Sequence, residues 1–322
     1  MLDSKTASSY ISMLSFAKTP LSFYKRNFVF HKELSNVTAN TRCVQECSVM
    51  PHRHLYWAMV NMRNDLRGLW AHRELLFSLT RREIVSRYKQ TFFGLGWSLL
   101  QPILQTIVYT IAFSLVLKTS SAEGIPYTIF VFANLTLWTY FSTTTINAMN
   151  SLRSNTALIT KVSFPREIIP IASILSGLFD FTVTFVVLII LNAIFGFYPN
   201  IKFLYIPAIL AVEILFILDL ALVLSVFTVV RRDLTYIVQF LITLYMFLTP
   251  VFFTIQALPK QLQDFYYVNP MGAIIDAFKN VVFYNYEPRW YSLLIALVSL
   301  ILIFIPSYKF FKRAEKYFAD VL

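Results

Sequence analysis

Unbroken blocks of apolar residues, each about 20 residues long, dominate the sequence after residue 90. A helix of that length crosses the hydrocarbon core of a bilayer, because each helical residue rises about 1.5 Å. Only 14% of the 322 residues are charged, whereas 57% are hydrophobic. A soluble chain would therefore lack the charged surface that covers its core. The composition excludes a soluble enzyme and a disordered basic tail, and it predicts an all-α integral membrane protein.

Six runs of this kind predict six transmembrane helices. The third and fourth runs are long enough to tilt or to extend into the interface. The segment between the fifth and sixth, Thr254–Arg289, is too apolar for an ordinary loop, so we predict short re-entrant helices on the outer face. The six predicted spans are Phe92–Leu117, Tyr127–Ala148, Ile168–Tyr198, Phe203–Val230, Leu234–Phe253 and Trp290–Tyr308.

The formal net charge of +11 is distributed unevenly along the chain. Of the 28 Lys and Arg residues, 23 fall in the two terminal segments and in the loops after the second and fourth spans. The other five fall on the opposite side of the predicted membrane. Because positively charged loops stay in the cytoplasm, we predict that both termini lie inside.

The first 90 residues divide into two parts. Residues 1–64 are rich in Ser and Thr and poor in acidic residues, and we expect them to be disordered or loosely structured. From Leu66 to Lys89, apolar residues recur at spacings of four and seven between arginines. This pattern predicts an amphipathic basic helix along the cytoplasmic leaflet. A plain interfacial anchor that orients the first span would have the same pattern. The arginines are Arg67, Arg73, Arg81, Arg82 and Arg87.

The sequence contains no motif for nucleotide binding or catalysis. None of the seven glycines is followed by lysine, so there is no P-loop, and no zinc-protease or serine-hydrolase motif occurs. We therefore expect no catalytic residue, no metal site and no cofactor. One cluster combines metal-ligand types at a spacing that fits no zinc finger or ribbon, and chance clustering is the preferred interpretation. This cluster is Cys43, Cys47, His52 and His54.

Two further sets of residues lie within the predicted spans. The acids Asp180, Glu213 and Asp219 are candidates for an ion pathway, and they also fit a wet cavity or a subunit contact. Aromatic rings can stack on sugars while their polar atoms form hydrogen bonds, although membrane belts and ordinary packing use the same residues. The candidates for a glycan path are Tyr109, Phe113, Trp138, Tyr140, Phe141, Tyr236, Phe240 and Tyr245.

Several motifs together resemble the permeases of type-2 ABC transporters that export polysaccharides. The resemblance covers roughly residues 65–318. It implies that residues 65–322 form one transmembrane domain, which forms a homodimer and pairs with two copies of a separate ATPase. The motifs are Arg81–Tyr88, Thr91–Trp97, Leu99–Pro102, Leu135–Asn147, Asn150–Arg153, Leu158–Lys161, Phe164–Ile168, Leu248–Phe252 and Asn269–Met271.

The resemblance also implies roles for particular segments. The basic helix corresponds to a gate at the cytoplasmic entrance, where its arginines would bind the pyrophosphate of a polyprenyl-linked O-antigen, capsular glycan or teichoic acid. ATP and Mg²⁺ would be bound by the partner ATPase at the bacterial inner membrane, with membrane lipids and no nucleic acid as further partners. The loop after the second span corresponds to the coupling helix that docks in the ATPase. Its candidate residues are Asn150, Arg153, Lys161, Arg166 and Glu167.

Other functions remain open at this point. The chain could export another amphipathic lipid or drug, act as a membrane-embedded glycan-modifying enzyme, or work as a proton-coupled carrier. The enzyme would need a buried catalytic His or an acid pair, and no His lies in the predicted spans. The N-terminus departs from the family pattern, because about 64 residues precede the basic helix. Met59 or Met62 is therefore an alternative start.

Overall fold

The computed structural model of this protein describes residues 68–89, 96–116, 124–316 and 318. The N-terminal extension lies outside these residues. All regular secondary structure in the described part of the chain is helical, which confirms the all-α class. The helices are α1 (Arg73–Tyr88), α2 (Gly96–Thr110), α3 (Tyr127–Ser154), α4 (Thr156–Lys161), α5 (Ile168–Ile194), α6 (Ile206–Val230), α7 (Leu234–Phe247), α8 (Lys260–Val268), α9 (Pro270–Val282) and α10 (Trp290–Glu315).

Three of the described helices are long and apolar enough to cross a membrane. They are α5, α10, and α6 together with the 3₁₀ turn Ile201–Tyr205 that precedes it. The helices α2, which continues as the π-helical turn Ile111–Val116, and α7 are apolar but shorter. The prediction of a protein with several apolar membrane helices is thus confirmed, and the count of six spans stays a prediction.

Helix α3, which carries several threonines among its apolar residues, lies at the centre of the bundle. It packs against α2, α5, α6, α7 and α9, and most of its side chains are buried. Threonine hydroxyls in α3 donate to carbonyls of the preceding turn, as Thr136 does to Phe132 at 2.9 Å and Thr143 to Thr139 at 2.6 Å. These two hydroxyls thus have backbone partners inside the core, as most buried polar groups do. It begins at the predicted Tyr127 and extends past the predicted end at Ala148.

Close packing of α5 on α3 depends on Gly177. A Cβ atom at this position would overlap Thr144 Oγ1, so a larger residue would push the helices apart. At its other end α5 stops before Gly196, which has a φ of 87°. The Phe197 amide then donates to the Asn192 carbonyl at 2.8 Å, in a helix-ending turn that glycine adopts without strain.

The segment predicted to be re-entrant is helical. A 3₁₀ turn, Ile255–Ala257, precedes α8, and α9 begins at Pro270 directly after Asn269. The Asn269 side chain accepts a hydrogen bond from the Met271 amide at 3.1 Å, as expected of an N-cap. Helix α9 is buried almost throughout and packs against α3, α6 and α10. Its depth in a membrane stays a prediction.

Candidate functional site

One face of α1 packs onto the bundle. Leu79 is buried, and Leu75 and Leu76 pack against the same cluster of apolar side chains. The stripe that contains Trp70 and Phe77 is a different face, and these two side chains are 73% and 72% exposed. The predicted basic helix therefore has two apolar faces. One packs against the bundle, and the other is exposed.

The end of α1 is joined to the middle of α5 by charged groups. The guanidinium of Arg87 forms an ion pair with Asp180 and donates to Ser176 Oγ at 2.8 Å. The hydroxyl of Tyr88 donates to the same carboxylate. Sequence analysis identified Asp180 as an acid within a predicted span. The structure provides its basic partner from α1.

The spacing of the polar residues explains this docking. Glu83 and Arg87 are one turn apart on α1, and Ser173, Ser176 and Asp180 share one face of α5. Glu83 accepts hydrogen bonds from Ser173 at 2.8 Å and from Ser176 at 3.0 Å. The matching spacing on the two helices is a signal that the sequence contained, although it could not show that these faces meet.

A cavity of about 350 Å³ lies beside the ion pair. Arg87 and Asp180 form part of its wall, Gln101 contributes from α2, and α3 contributes several hydroxyls and an amide. The hydroxyls of Tyr140 and Thr139 have no hydrogen-bond partner among the described residues. The side chains from α3 are Thr136, Thr139, Tyr140, Thr143 and Asn147.

A second contact joins α1 to the predicted coupling loop. The guanidinium of Arg82 donates to the side-chain oxygen of Asn155, the residue between α3 and α4. The contact therefore links α1 to the junction between α3 and α4.

The gate arginines have different surroundings. Arg67 lies outside the described residues. Arg73 stacks on Trp70, with its guanidinium carbon 5.8 Å from the ring centroid, and Arg81 is exposed. Arg82 and Arg87 are engaged by Asn155 and Asp180, so the four described arginines do not form one cluster.

Two of the coupling-loop candidates project from the fold. Arg153 and Lys161 are exposed, at the end of α3 and at the end of α4. Asn150 is half-buried, and its side-chain oxygen accepts a hydrogen bond from Thr235 at 3.0 Å. Arg153 and Lys161 are thus the candidates best placed to contact another chain.

The other two coupling-loop candidates hold α5 to α10. The Arg166 amide donates to Glu315 Oε1 at 3.0 Å. Glu167 is 1% exposed and forms an ion pair with Lys312, with Nζ 2.8 Å from Oε1. Sequence reasoning placed Glu167 on a docking surface. The structure shows it as a buried acid bound within its own chain.

Comparison with known proteins identifies the family. Residues 74–283 match the sequence model of the ABC-2 type transporter family, which is more than half of the chain. The chain belongs to the ABC-2 type transporter family.

Relatives of this ABC-2 transporter chain carry more specific names. It is 28% identical over 256 residues to the O-antigen export system permease protein RfbA of Myxococcus xanthus, covering 78% of this chain and 97% of the relative. It is 26% identical over 250 residues to the protein of the same name from Klebsiella pneumoniae, covering 77% and 95%. The capsule polysaccharide export inner-membrane protein CtrC of Neisseria meningitidis is 26% identical over 272 residues, covering 78% and 96%.

Some aromatic candidates of this ABC-2 transporter chain belong to its core. Trp138 and Phe141 are buried. The Phe141 ring stacks on Phe216 at a centroid distance of 5.1 Å, and the Trp138 ring lies 5.8 Å from Tyr245. These rings pack against protein, as expected for core residues.

The remaining aromatic candidates have three other surroundings. Tyr109 and Phe113 both lie against Phe252, at centroid distances of 4.6 Å. Tyr236 and Phe240 are 74% and 62% exposed on α7. Tyr140 is the candidate that lines the cavity. Together the eight rings have four kinds of neighbourhood, so their role as a glycan path stays a prediction.

A second charged cluster, which sequence analysis missed, lies on α9. Lys279 Nζ is 3.1 Å from Asp276 Oδ1, and the side chains are only 3% and 2% exposed. Arg289 lies 3.7 Å from the same carboxylate and 4.7 Å from the ring centroid of Tyr267. Burial raises the pKa of the Tyr267 hydroxyl, and the Asp276 carboxylate acts in the same direction. The spacing of Asp276 and Lys279, three residues apart on a helix, was the available signal.

Glu213 and Asp219 are also buried. They are 0% and 3% exposed on α6, and their carboxylate oxygens have no hydrogen-bond partner within the described part of the chain. Their role stays a prediction. The Cys43 and His54 cluster lies outside the described residues.

Proposed function

We propose that this chain is the membrane-spanning subunit of an ATP-driven exporter that moves a polyprenyl-linked polysaccharide across the bacterial inner membrane. Family membership and the names of the relatives support this function. The active unit would be a homodimer with two copies of a separate ATPase, which would bind ATP and Mg²⁺. Six spans with both termini in the cytoplasm would place α1 and α4 on the ATPase side.

The position of α1 is the observation that carries the mechanism. This helix contacts the α3–α4 junction through Arg82 and Asn155, and it contacts α5 through Arg87 and Asp180. Closure of the ATPase pair would move α4, and the Arg82 contact would pass the movement to α1. A shift of α1 along α5 would then open the Arg87–Asp180 pair beside the cavity.

The exposed side of α1 suits the proposed substrate. Arg73 and Arg81 are exposed, and guanidinium groups bind phosphate through two parallel hydrogen bonds. Trp70 and Phe77 would lie in the cytoplasmic leaflet, as aromatic residues of interfacial helices do. Arg67 would extend the same basic surface. A polyprenyl pyrophosphate would thus meet apolar and cationic groups side by side.

A complementation experiment tests the entrance role. In a bacterial host that lacks its own permease, the double variant Arg73→Gln/Arg81→Gln should reduce surface glycan at least severalfold while membrane insertion stays intact. Arg313→Gln removes an exposed positive charge from α10 and serves as the matched control. Unchanged surface glycan in the double variant would contradict the entrance role.

Reconstitution tests the substrate and the partner. The chain and its presumed ATPase should co-purify, and lipid-linked glycans should stimulate ATP hydrolysis by the complex. Stimulation by other amphipathic lipids or drugs, with none by lipid-linked glycans, would instead favour an exporter of such compounds. Transport that is independent of the ATPase would contradict both.

A further inference from the structure

The last turns of α10 lie beyond the predicted sixth span. That span ends at Tyr308, whereas α10 continues to Glu315, which adds about 10 Å of helix at about 1.5 Å per residue. The charged side chains on these turns have two kinds of surroundings. Lys309 and Arg313 are exposed, whereas Lys312 and Glu315 are partly buried. Two of the charges therefore face protein.

Glu315 binds the main chain at the end of the coupling loop, which joins α3 to α5. Its side chain accepts a hydrogen bond from the Arg166 amide at 3.0 Å, and its main-chain carbonyl accepts one from the Arg166 guanidinium. Arg166 lies directly before the start of α5 at Ile168. An amide at this point has no partner within the helix, and a side chain from α10 supplies one. The contact therefore fixes the backbone of the loop.

Lys312 binds the next residue of the loop. Its Nζ lies 2.8 Å from the carboxylate of Glu167, and the Tyr308 hydroxyl donates to the same group at 3.3 Å. A carboxylate that is 1% exposed needs such partners, because an unpaired buried charge is costly. Lys312 also forms an ion pair with Glu315 at 3.0 Å. The end of α10 thus binds two consecutive residues of the loop through one connected group of charges.

Apolar side chains join the same elements. Phe311 of α10 and Ile159 of α4 are buried in one cluster, which also contains Leu79 of α1. The start of the loop is bound to α1 by the contact between Arg82 and Asn155. The coupling loop is therefore attached to α1 at its start and to α10 at its end, and α4 packs between these two attachments.

These attachments leave one part of the loop exposed. Arg153 and Lys161 project from the ends of α3 and α4, and Val162 is 49% exposed beside Lys161. A loop that must be ordered on binding loses affinity, because the ordering costs conformational entropy. A loop that is fixed at both ends presents these side chains in one direction before the partner arrives.

We propose that Lys312 and Glu315 are positioning residues for coupling to the ATPase. They hold the end of the coupling loop so that Arg153 and Lys161 face the partner chain in a fixed orientation. This inference rests on the proposed function, because the partner is the proposed ATPase. It gives a role to the last turns of α10, which a helix that served only to cross the membrane would not need.

A distance measurement between two spin labels tests the positioning without the ATPase. The labels are attached to Lys161→Cys on α4 and Lys309→Cys on α10, both at exposed positions. The full chain carries Cys43→Ser and Cys47→Ser, so that its two native cysteines are not labelled. Dilution with unlabelled chain ensures that each measured pair belongs to one copy. With the α10 contacts intact, the distribution of distances should be narrow.

Two variants of the contacts and one control separate positioning from folding. Glu167→Leu/Lys312→Met leaves no buried charge at this place, so its thermal unfolding in detergent should stay close to that of the unchanged chain. Glu315→Ala removes the acceptor of the loop amide from a partly exposed position. Both variants should broaden the distribution of distances. Arg313→Gln removes an exposed positive charge beside Lys312 and should leave the distribution narrow.

The complex with the ATPase provides the second measurement. Both contact variants should bind the ATPase more weakly and should reduce glycan-stimulated ATP hydrolysis severalfold, whereas Arg313→Gln should change neither. The proposal is overturned if neither contact variant broadens the distribution. It is also overturned if a broadened distribution leaves ATPase binding and stimulated hydrolysis unchanged. An unchanged complex that no lipid-linked glycan stimulates would instead contradict the proposed function, and the broadened distributions would still show that α10 positions the loop.

Discussion

Two charged clusters hold this protein together in different ways. The pair Lys279 and Asp276 on α9 is sealed, with side chains 3% and 2% exposed. The pair Arg87 and Asp180, which joins α1 to α5, has side chains 28% and 25% exposed and borders a cavity. A sealed pair is costly to break, because each charge would remain buried without its partner. A pair beside a polar space can be opened, so the second cluster is the one suited to movement.

The largest effect on stability should come from breaking the sealed pair. Asp276→Leu leaves Lys279 buried with Gln256 as its remaining polar neighbour at 3.3 Å. We expect a loss of about 3–5 kcal/mol in the free energy of unfolding, measured by denaturation in detergent. The double variant Asp276→Leu/Lys279→Met should recover most of the loss, because no buried charge is left on α9. If the single and double variants are equally unstable, the unpaired charge of Lys279 is not the cause of the instability.

The close contact between α3 and α5 should be the next most sensitive place. Gly177→Ala forces a Cβ atom against Thr144 Oγ1 and should cost about 1–3 kcal/mol of stability, the usual range for overpacking. Thermal unfolding in the same detergent measures it. Adding Thr144→Ala removes the overlapping atom and should restore stability. If Thr144→Ala does not restore stability, overlap with Thr144 is not the cause of the loss.

Breaking the partly exposed Arg87–Asp180 pair should affect transport far more than stability. Arg87→Gln or Asp180→Asn should lower the free energy of unfolding by about 1 kcal/mol or less, because partly exposed ion pairs contribute little. Surface glycan should fall severalfold, since α1 would lose its attachment to α5. The exchange Arg87→Asp/Asp180→Arg keeps the pair and should restore part of the export. A stability loss as large as that of Asp276→Leu would erase the distinction between the clusters.

The smallest effect on stability should come from the link to the coupling loop. Arg82→Gln removes one exposed hydrogen bond and should change stability by about 0.5 kcal/mol or less. The glycan-stimulated ATPase rate should still drop. In a double-mutant cycle with Asn155→Ala, the two losses should be non-additive, as expected for residues in direct contact. Additive losses would mean that the contact does not connect α1 with α4.

Local features of the sequence predicted the starts of four of the six predicted spans. The predicted starts at Tyr127, Ile168, Leu234 and Trp290 are the observed ones, because each apolar run begins directly after a polar residue or a turn residue. The predicted ends were less accurate: α5 stops at Ile194 before a glycine, and α10 runs on to Glu315. Hydropathy marks where a chain leaves the lipid, whereas a helix continues until its backbone is capped.

The candidate site was predicted only in part. The arginines of α1 were chosen from their charge, and Arg87 does line the cavity. The pairing of Arg87 with Asp180 could not be read from the sequence, because 93 residues separate them. The same holds for the buried Glu167, whose partner Lys312 lies 145 residues further along the chain.

The sequence by itself determined that this chain is a helical membrane protein, where four of its long helices begin, and which short motifs mark its family. Each of these depends on composition or on neighbours within a few turns. Only the tertiary structure decided which charges are sealed, which border a cavity, and which aromatic rings face protein. Those outcomes depend on how helices distant in sequence dock face to face, and similar local patterns on α1 and α9 lead to an open pair in one place and a buried pair in the other.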